Sequence, residues 1–195
     1  MKRLIGLIVA VALMVPFYAQ AATYTLDPAH TSIGFRVKHL MITNVKGAFE
    51  KFQGTLVLDE KDITKSKLSA TIDIASINTN IGKRDDHLRS ADFFDAAKYP
   101  TMTFESTKIE KAGADKLKVT GNLTIRGVTK PVVLNVEGLN QEIKSPQGVL
   151  KRGASATGTI NRQDFGVSWN KKLDAGGVVV ADEVHIIIDA QLDKK

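Results

Sequence analysis

From Thr31 onward the chain alternates apolar and polar side chains with a period of two, in one run after another. In TSIGFRVKHL, Ile33, Phe35 and Val37 alternate with Ser32, Arg36 and Lys38; in FQGTLVLDE, Phe52, Gly54, Leu56 and Leu58 share a phase. Leu68, Ala70, Ile72 and Ile74 form the next set, then Met102 with Phe104, then Leu117, Val119, Gly121, Leu123 and Ile125. Val132, Leu134 and Val136 follow, and Val184, Ile186, Ile188, Ala190 and Leu192 close the chain. Side chains two apart lie on one face of a strand, whereas a helix needs a period near 3.6, so these runs predict half-buried strands. With GASATGTIN and the N-terminal TYTLD they make about eight strands, nine at most.

Strands with one apolar face must either pack two sheets together or close one sheet on itself. The connections LDEKDITKSK, EKAGADK, IRGVTKP and KSPQG are short and rich in turn-forming residues, which predicts sequential antiparallel neighbours. Even spacing favours an up-and-down barrel over a Greek-key sandwich. The expected fold is therefore all-β, one domain over residues 22–195, without repeats or linkers. Residues expected to point inward, and to touch any ligand held inside, are Phe35, Val37, Leu56, Leu58, Ile72, Ile74, Met102, Phe104, Leu123, Leu134, Ile186 and Ile188. If Ile160 also points in, Ala154, Ala156 and Gly158 share its phase and give one wall very small side chains. That wall either receives large neighbours, as in ordinary close packing, or borders a cavity able to hold one ligand.

The N-terminus has the layout of a secretory signal peptide over residues 1–21. Lys2 and Arg3 precede an apolar run from Leu4 to Val15, Pro16 breaks it, and Ala19-Gln20-Ala21 supplies the small residues of a cleavage site. The run is too short for a comfortable membrane span, and no later stretch is long enough, so the expected product is a soluble exported protein. The chain has no cysteine, which removes disulfides, metal thiolates and thiol nucleophiles together. Its formal net charge of +6 is spread among interleaved acids, and aromatic residues are 6% of the chain. Neither feature is the clustered basic stripe of a nucleic-acid binder, so no nucleic-acid partner is expected.

Two connections are too long to be simple turns, and long loops in small domains usually carry function or structure of their own. NTNIGKRDDHLRSADFFDAAKYP allows a short helix N-capped by Asp85 or Asp86, with Asp85 and Arg89 paired at i and i+4 and Leu88, Phe93 and Phe94 packed over a barrel end. His87 next to Asp85 and Asp86 also allows a general base, which would make the protein a hydrolase or isomerase using Asp86 and His87. Arg84, Asp86, His87 and Arg89 are candidates for polar contacts at a cavity mouth. The second connection, NRQDFGVSWNKKLDAGGVVVADE, puts Phe165, Val167 and Trp169 in alternation ahead of a glycine hinge, suited either to covering an apolar ligand or to capping the core. His30 and His39 are nine residues apart and leave opposite faces of a strand, so no metal site is expected. No H-E-x-x-H, G-x-S-x-G, P-loop or dinucleotide motif is present.

Taken together, DPAHTSIGFRVKHL, VKGAFEKFQGTL, IDIASINTN, RDDHLRSADFFDAAKYPTMTF, VTGNLTIRGVTKPVVL and NRQDFGVSW resemble the YceI family of secreted bacterial proteins, in collinear order over essentially the whole chain after residue 21. Tyr24 stands where many relatives have tryptophan. The resemblance implies a lipocalin-like, extended antiparallel β-barrel whose apolar channel holds a polyisoprenoid, such as an isoprenoid quinone or a polyprenyl lipid. It implies a periplasmic carrier that is not an enzyme, has no required cofactor beyond the bound lipid, and in some members forms a homodimer. A solid barrel that binds no ligand, serving a structural or interaction role, is the remaining alternative.

Overall fold

Among the described residues, alternation becomes structure as twelve strands, with one α-helix. The computed structural model describes residues 21–174 and 176–195; the expected signal peptide lies, but for Ala21, outside the described residues. In chain order the elements are β1 (Ala22–Leu26), β2 (Ser32–His39), β3 (Thr43–Phe49), β4 (Phe52–Leu58), β5 (Lys67–Asp73), β6 (Ile77–Asn78), α1 (Gly82–Arg89), β7 (Thr101–Gly113), β8 (Lys116–Ile125), β9 (Val128–Glu137), β10 (Glu142–Lys144), β11 (Leu150–Asn161) and β12 (Val180–Lys194). All pairings are antiparallel, and β12 closes the ring on β11 from Asn161↔Glu183 to Lys151↔Asp193.

The twelve strands occupy eight positions around a closed barrel, because four positions are bent strands. β1 and β2 both lie against β12, β3 and β4 continue one another beside them, β5 and β6 follow, and β9 and β10 both lie against β11. The expected up-and-down order of about eight strands is what forms. The bends are held by hydrogen bonds rather than left open: Lys51 N donates to Ser76 Oγ (3.0 Å), Glu50 N to Ser76 O (3.1 Å) and Asp73 N to Lys51 O (2.9 Å). Ser76 belongs to a 3-10 turn, Ile74–Ser76, that separates β5 from β6. Strand alternation therefore stops at Asp73, and Ile74 is buried at the bend instead of continuing the inward row.

At one barrel end, here the helix end, lie α1, the β2–β3 turn, the β8–β9 turn and the chain leaving β11. The far end carries the β4–β5 and β7–β8 connections and β10. The helix differs from expectation in its caps. It begins at Gly82 behind Ile81, which makes no side-chain cap bond, so Asp85 falls inside the helix on its buried side. There its carboxylate accepts from Thr79 N (2.9 Å) and Thr79 Oγ1 (2.5 Å). Arg89 pairs with Asp86 instead (2.8 Å).

The interior is one cluster running the length of the barrel, from Leu117, Val136 and Leu139 to Phe49, Phe93 and Val167. Close approach requires glycine at several inward positions, among them Gly121 and Gly158. A Cβ at Gly121 would overlap the Phe104 ring, and one at Gly158 would lie 2.7 Å from Leu134 Cδ2. Both close approaches let a large side chain of the adjacent strand lean over the glycine, so at Gly158 the small wall is filled by ordinary packing.

Candidate functional site: an apolar channel in the barrel

Along the same axis the barrel encloses a cavity of about 260 Å³. Its wall uses the inward phase of nearly every strand: Ile33, Phe35 and Val37 from β2, Leu68, Ala70 and Ile72 from β5, Met102, Phe104 and Ile109 from β7, and Ala154, Ala156 and Ile160 from β11. Val184, Ile186, Ile188, Ala190 and Leu192 from β12 complete that side, while Leu88, Phe93 and Phe94 cover the helix end. Ser66 and Arg162 contribute the wall's only polar side chains among the described residues. An apolar cavity of about 150 Å³ stays dry and takes up benzene-sized guests, so a larger one lined this way favours apolar guests over water.

Of the residues read as inward, Phe35, Val37, Leu56, Ile72, Met102, Phe104, Leu123, Leu134, Ala156, Ile186 and Ile188 stand in this wall. Leu58, Ile74, Phe165 and Trp169 do not. Leu58 is the last residue of β4 and borders a separate, charged hollow at the far end. Ile74 is buried in the 3-10 turn. Phe165 is 2% exposed in the core, within a 3-10 turn (Arg162–Phe165) that ends β11 and breaks its alternation. Trp169 packs from outside against Phe93 (ring centroids 5.2 Å) and His87 (5.0 Å).

The four polar candidates also stand outside the wall, their bonds spent within the α1 segment and, through Arg89, on the β5–β6 bend. Arg84 donates to Thr79 Oγ1 (2.7 Å) and Thr79 O (2.8 Å), and Arg89 to Ala75 O (2.9 Å) and Ile77 O (3.1 Å). Asp86 is spent on Arg89, and His87 Nε2 meets Asp92 (2.9 Å), not Asp85 or Asp86. His87 also stands edge-on to Phe93 and Trp169. The imidazole therefore belongs to an aromatic seal over the helix end, and among the described residues no carboxylate–imidazole pair lines the cavity.

Arg162 was missed by the reading of hydrophobic runs. It is 5% exposed, and all five guanidinium hydrogens have acceptors: Ala181 O (2.9 Å), Val167 O, Trp169 O (3.0 Å), Val180 O and Asp182 Oδ1 (both 3.2 Å). Burial pushes the guanidinium down from its ordinary value, and Asp182 opposes that shift. One side chain in the turn that ends β11 thus ties the start of the following connection, at Val167 and Trp169, to the start of β12, at Val180 and Ala181. A visible signal existed: Arg162 lies two residues after inward Ile160, a charge in the apolar phase. Phe49 was missed as well, although Val45, Gly47 and Phe49 alternate.

Two polar clusters seal the outside. Where β1 breaks into β2, Asp27 accepts from Gln191 Nε2 (2.7 Å) and pairs with His30 (2.8 Å) and Lys151 (3.5 Å), and Lys151 also meets Asp193 (2.6 Å). The His30 hydrogen bond is the main reason the Asp27 carboxyl is lowered to about 2. At the far end, fully buried Tyr24 donates to Glu142 and accepts from Arg152 Nε (3.0 Å). That tyrosine bond, with Arg152 and Lys194 nearby, holds Glu142 below its ordinary range. Tyrosine thus supplies a hydroxyl that the network uses.

Comparison with known proteins agrees with this geometry. A family model described as a YceI-like domain matches residues 24–192. The UPF0312 protein plu2095 of Photorhabdus laumondii is 44% identical over 195 residues, covering 99% of this chain and 98% of the relative. Protein YceI of Escherichia coli O157:H7 is 41% identical over 192 residues, with 97% and 96% covered. Among solved structures, Burkholderia cenocepacia BcnA superposes with a TM-score of 0.74 at 30% identity, covering 85% of this chain and 98% of that one. The Campylobacter jejuni YCEI protein gives 0.70 at 41% identity, with 88% and 98% covered. A domain from Saccharophagus degradans, described as polyisoprenoid binding and implicated in plant cell wall breakdown, shares the fold at 0.61 and 16% identity over 88% of this chain and 98% of that one. With the match running from Tyr24 in the far-end cluster to Leu192 in the channel wall, this chain belongs to the YceI-like family.

Proposed function

We propose that the chain is a periplasmic carrier that holds a polyisoprenoid lipid, such as an isoprenoid quinone or a polyprenyl chain, inside the barrel. The observation that carries this reading is the continuous apolar wall from Leu139 to Val37. An isoprenoid unit of about five carbons gains roughly 4 kcal/mol on transfer from water at ~0.8 kcal/mol per carbon, before ordering costs. A few units therefore bind tightly without polar anchors, which suits a wall that has almost none. The polyisoprenoid-binding description of the Saccharophagus domain, on the same fold, points to the same ligand class. The leader-like start of the chain supports export. A binding role rather than catalysis fits the bonds made by Asp86 and His87, which are used in holding α1 and its aromatic seal.

The test is extraction of protein purified from its native host with organic solvent, followed by mass spectrometry. A stoichiometric prenyl lipid is expected. No co-purifying lipid, together with no uptake of an added isoprenoid probe, sinks the reading.

A further inference from the structure

The β2–β3 turn at the helix end is built against local preference. Leu40 (φ 51°) and Met41 (φ 61°) both take left-handed backbone conformations, and Ile42 follows them. A two-residue hairpin turn of this hand is cheap with Asn-Gly and costly with bulky side chains. All three side chains are exposed, Ile42 at 81%, and Ile81 beside α1 is exposed at the same end. Strain that presents three consecutive apolar side chains to water calls for a partner. The turn is held rigidly: Leu40 N donates to Val179 O (2.8 Å) and Ile42 N to His39 O (3.1 Å).

The surroundings identify the partner's chemistry. Lys38 and Lys46 lie on the outward face of the same hairpin, and Lys83 follows Ile81. Lys171 and Lys172 sit on the neighbouring chain, where Lys171 O accepts from the same Val179 whose carbonyl holds Leu40. All five lysines are exposed, and none has a carboxylate within salt-bridge distance among the described residues. Among the acids at this end, Asp86 is matched by Arg89, Asp92 by His87, Asp182 by Arg162 and Glu183 by His185, while exposed Asp164 and Asp174 have no cation within salt-bridge distance among the described residues, so five unmatched lysines face two unmatched acids. An apolar tip surrounded by unmatched cations is complementary to a surface with anionic head groups above an apolar interior. Val37, three residues from the tip, is already in the channel wall.

We propose that the Leu40–Ile42 tip and its five lysines dock the helix end of the barrel onto an anionic lipid membrane. Insertion places the strained turn among acyl chains, the lysines at the head groups, and the channel end next to the lipid phase. Docking does not depend on the channel being a lipid site, so the two readings fail separately.

Co-sedimentation of the mature chain with phosphatidylethanolamine/phosphatidylglycerol vesicles, and with phosphatidylcholine vesicles, tests this. The wild type is expected to pellet with the anionic vesicles and far less with the neutral ones. Ile42→Asp should weaken partition more than about tenfold. Lys38→Gln with Lys172→Gln should weaken it by about fivefold per lysine on anionic vesicles only. Both variants alter exposed residues, and an unchanged urea midpoint checks the fold. Uptake of an apolar fluorescent probe without vesicles should be unchanged in both, which reports on the channel independently. Equal pelleting of the wild type and Ile42→Asp, or none by the wild type, overturns the proposal. So does a concentration-dependent dimer in sedimentation velocity that Ile42→Asp dissolves without any vesicle binding, which would assign the tip to a second copy of the chain.

Discussion

Ala156→Leu adds three carbons to the channel wall at a point where the register is known: Ala156 lies between Val136 of β9 and Ile188 of β12, and all three residues border the cavity. If that space holds ligand, the new carbons displace about three ligand carbons, costing ~0.8 kcal/mol each. The sum is about 2.4 kcal/mol, or a roughly fiftyfold weaker dissociation constant. Stability should move the other way or not at all, because the leucine enters empty apolar space. In a solid core the same change would overpack and cost roughly 1–3 kcal/mol. Titration with a fluorescent isoprenoid analogue gives the affinity, and urea unfolding gives the stability. A lowered urea midpoint with unaltered affinity would refute the reasoning, since it would mean that Ala156 faces packed side chains rather than the ligand.

Arg162→Met removes the guanidinium donors to the 167, 169, 180 and 181 carbonyls, of which Val180 O keeps Asn170 Nδ2, and should cost roughly 3–5 kcal/mol, seen as a melting temperature lower by about 10 °C; a loss under about 1 kcal/mol would show that the tie is replaceable. Asp85→Ala strands two Thr79 donors and should cost about 2–3 kcal/mol, whereas Asp86→Ala, next to it and 80% exposed, should stay within about 0.5 kcal/mol. Equal effects in urea unfolding would put the helix's buried face elsewhere. Asp27 is lowered from 3.8 to about 2 in the folded state, so its contribution is complete above the unfolded value and is lost as pH falls through the interval between them. Asp27→Asn should therefore flatten the acid limb of stability against pH, and parallel wild-type and variant curves would contradict the assignment.

How legible the site was depended on what made each contact. The rows through Phe35, Ile72, Phe104, Leu123 and Ile186 could be read because burial repeats every second residue while a strand continues. Leu58 and Ile74 are buried as expected but leave the cavity wall at strand ends, where a turn resets the phase, and Phe165 is buried within the turn that ends β11 rather than in the wall. The α1 segment was read correctly as a cover over a barrel end, since Leu88, Phe93 and Phe94 have no other use. Its pairings differ from those expected because Asp85 turns to Thr79 and His87 to Asp92, which leaves Arg89 to Asp86.

By itself the sequence determined the all-β class, the sequential antiparallel order and the apolar interior, because these follow from side-chain period and turn chemistry within short windows. Its blocks of family resemblance also pointed to the family. Tertiary structure alone decided that twelve strands share eight positions, that Gly158 is filled by Leu134 while Ala154 and Ala156 border space, and that Arg162 ties the connection beside the channel. Each of these depends on residues far apart in the chain meeting at particular distances. A local pattern states which side chains must leave water, but only closure of the barrel determines what they meet and what volume they leave empty.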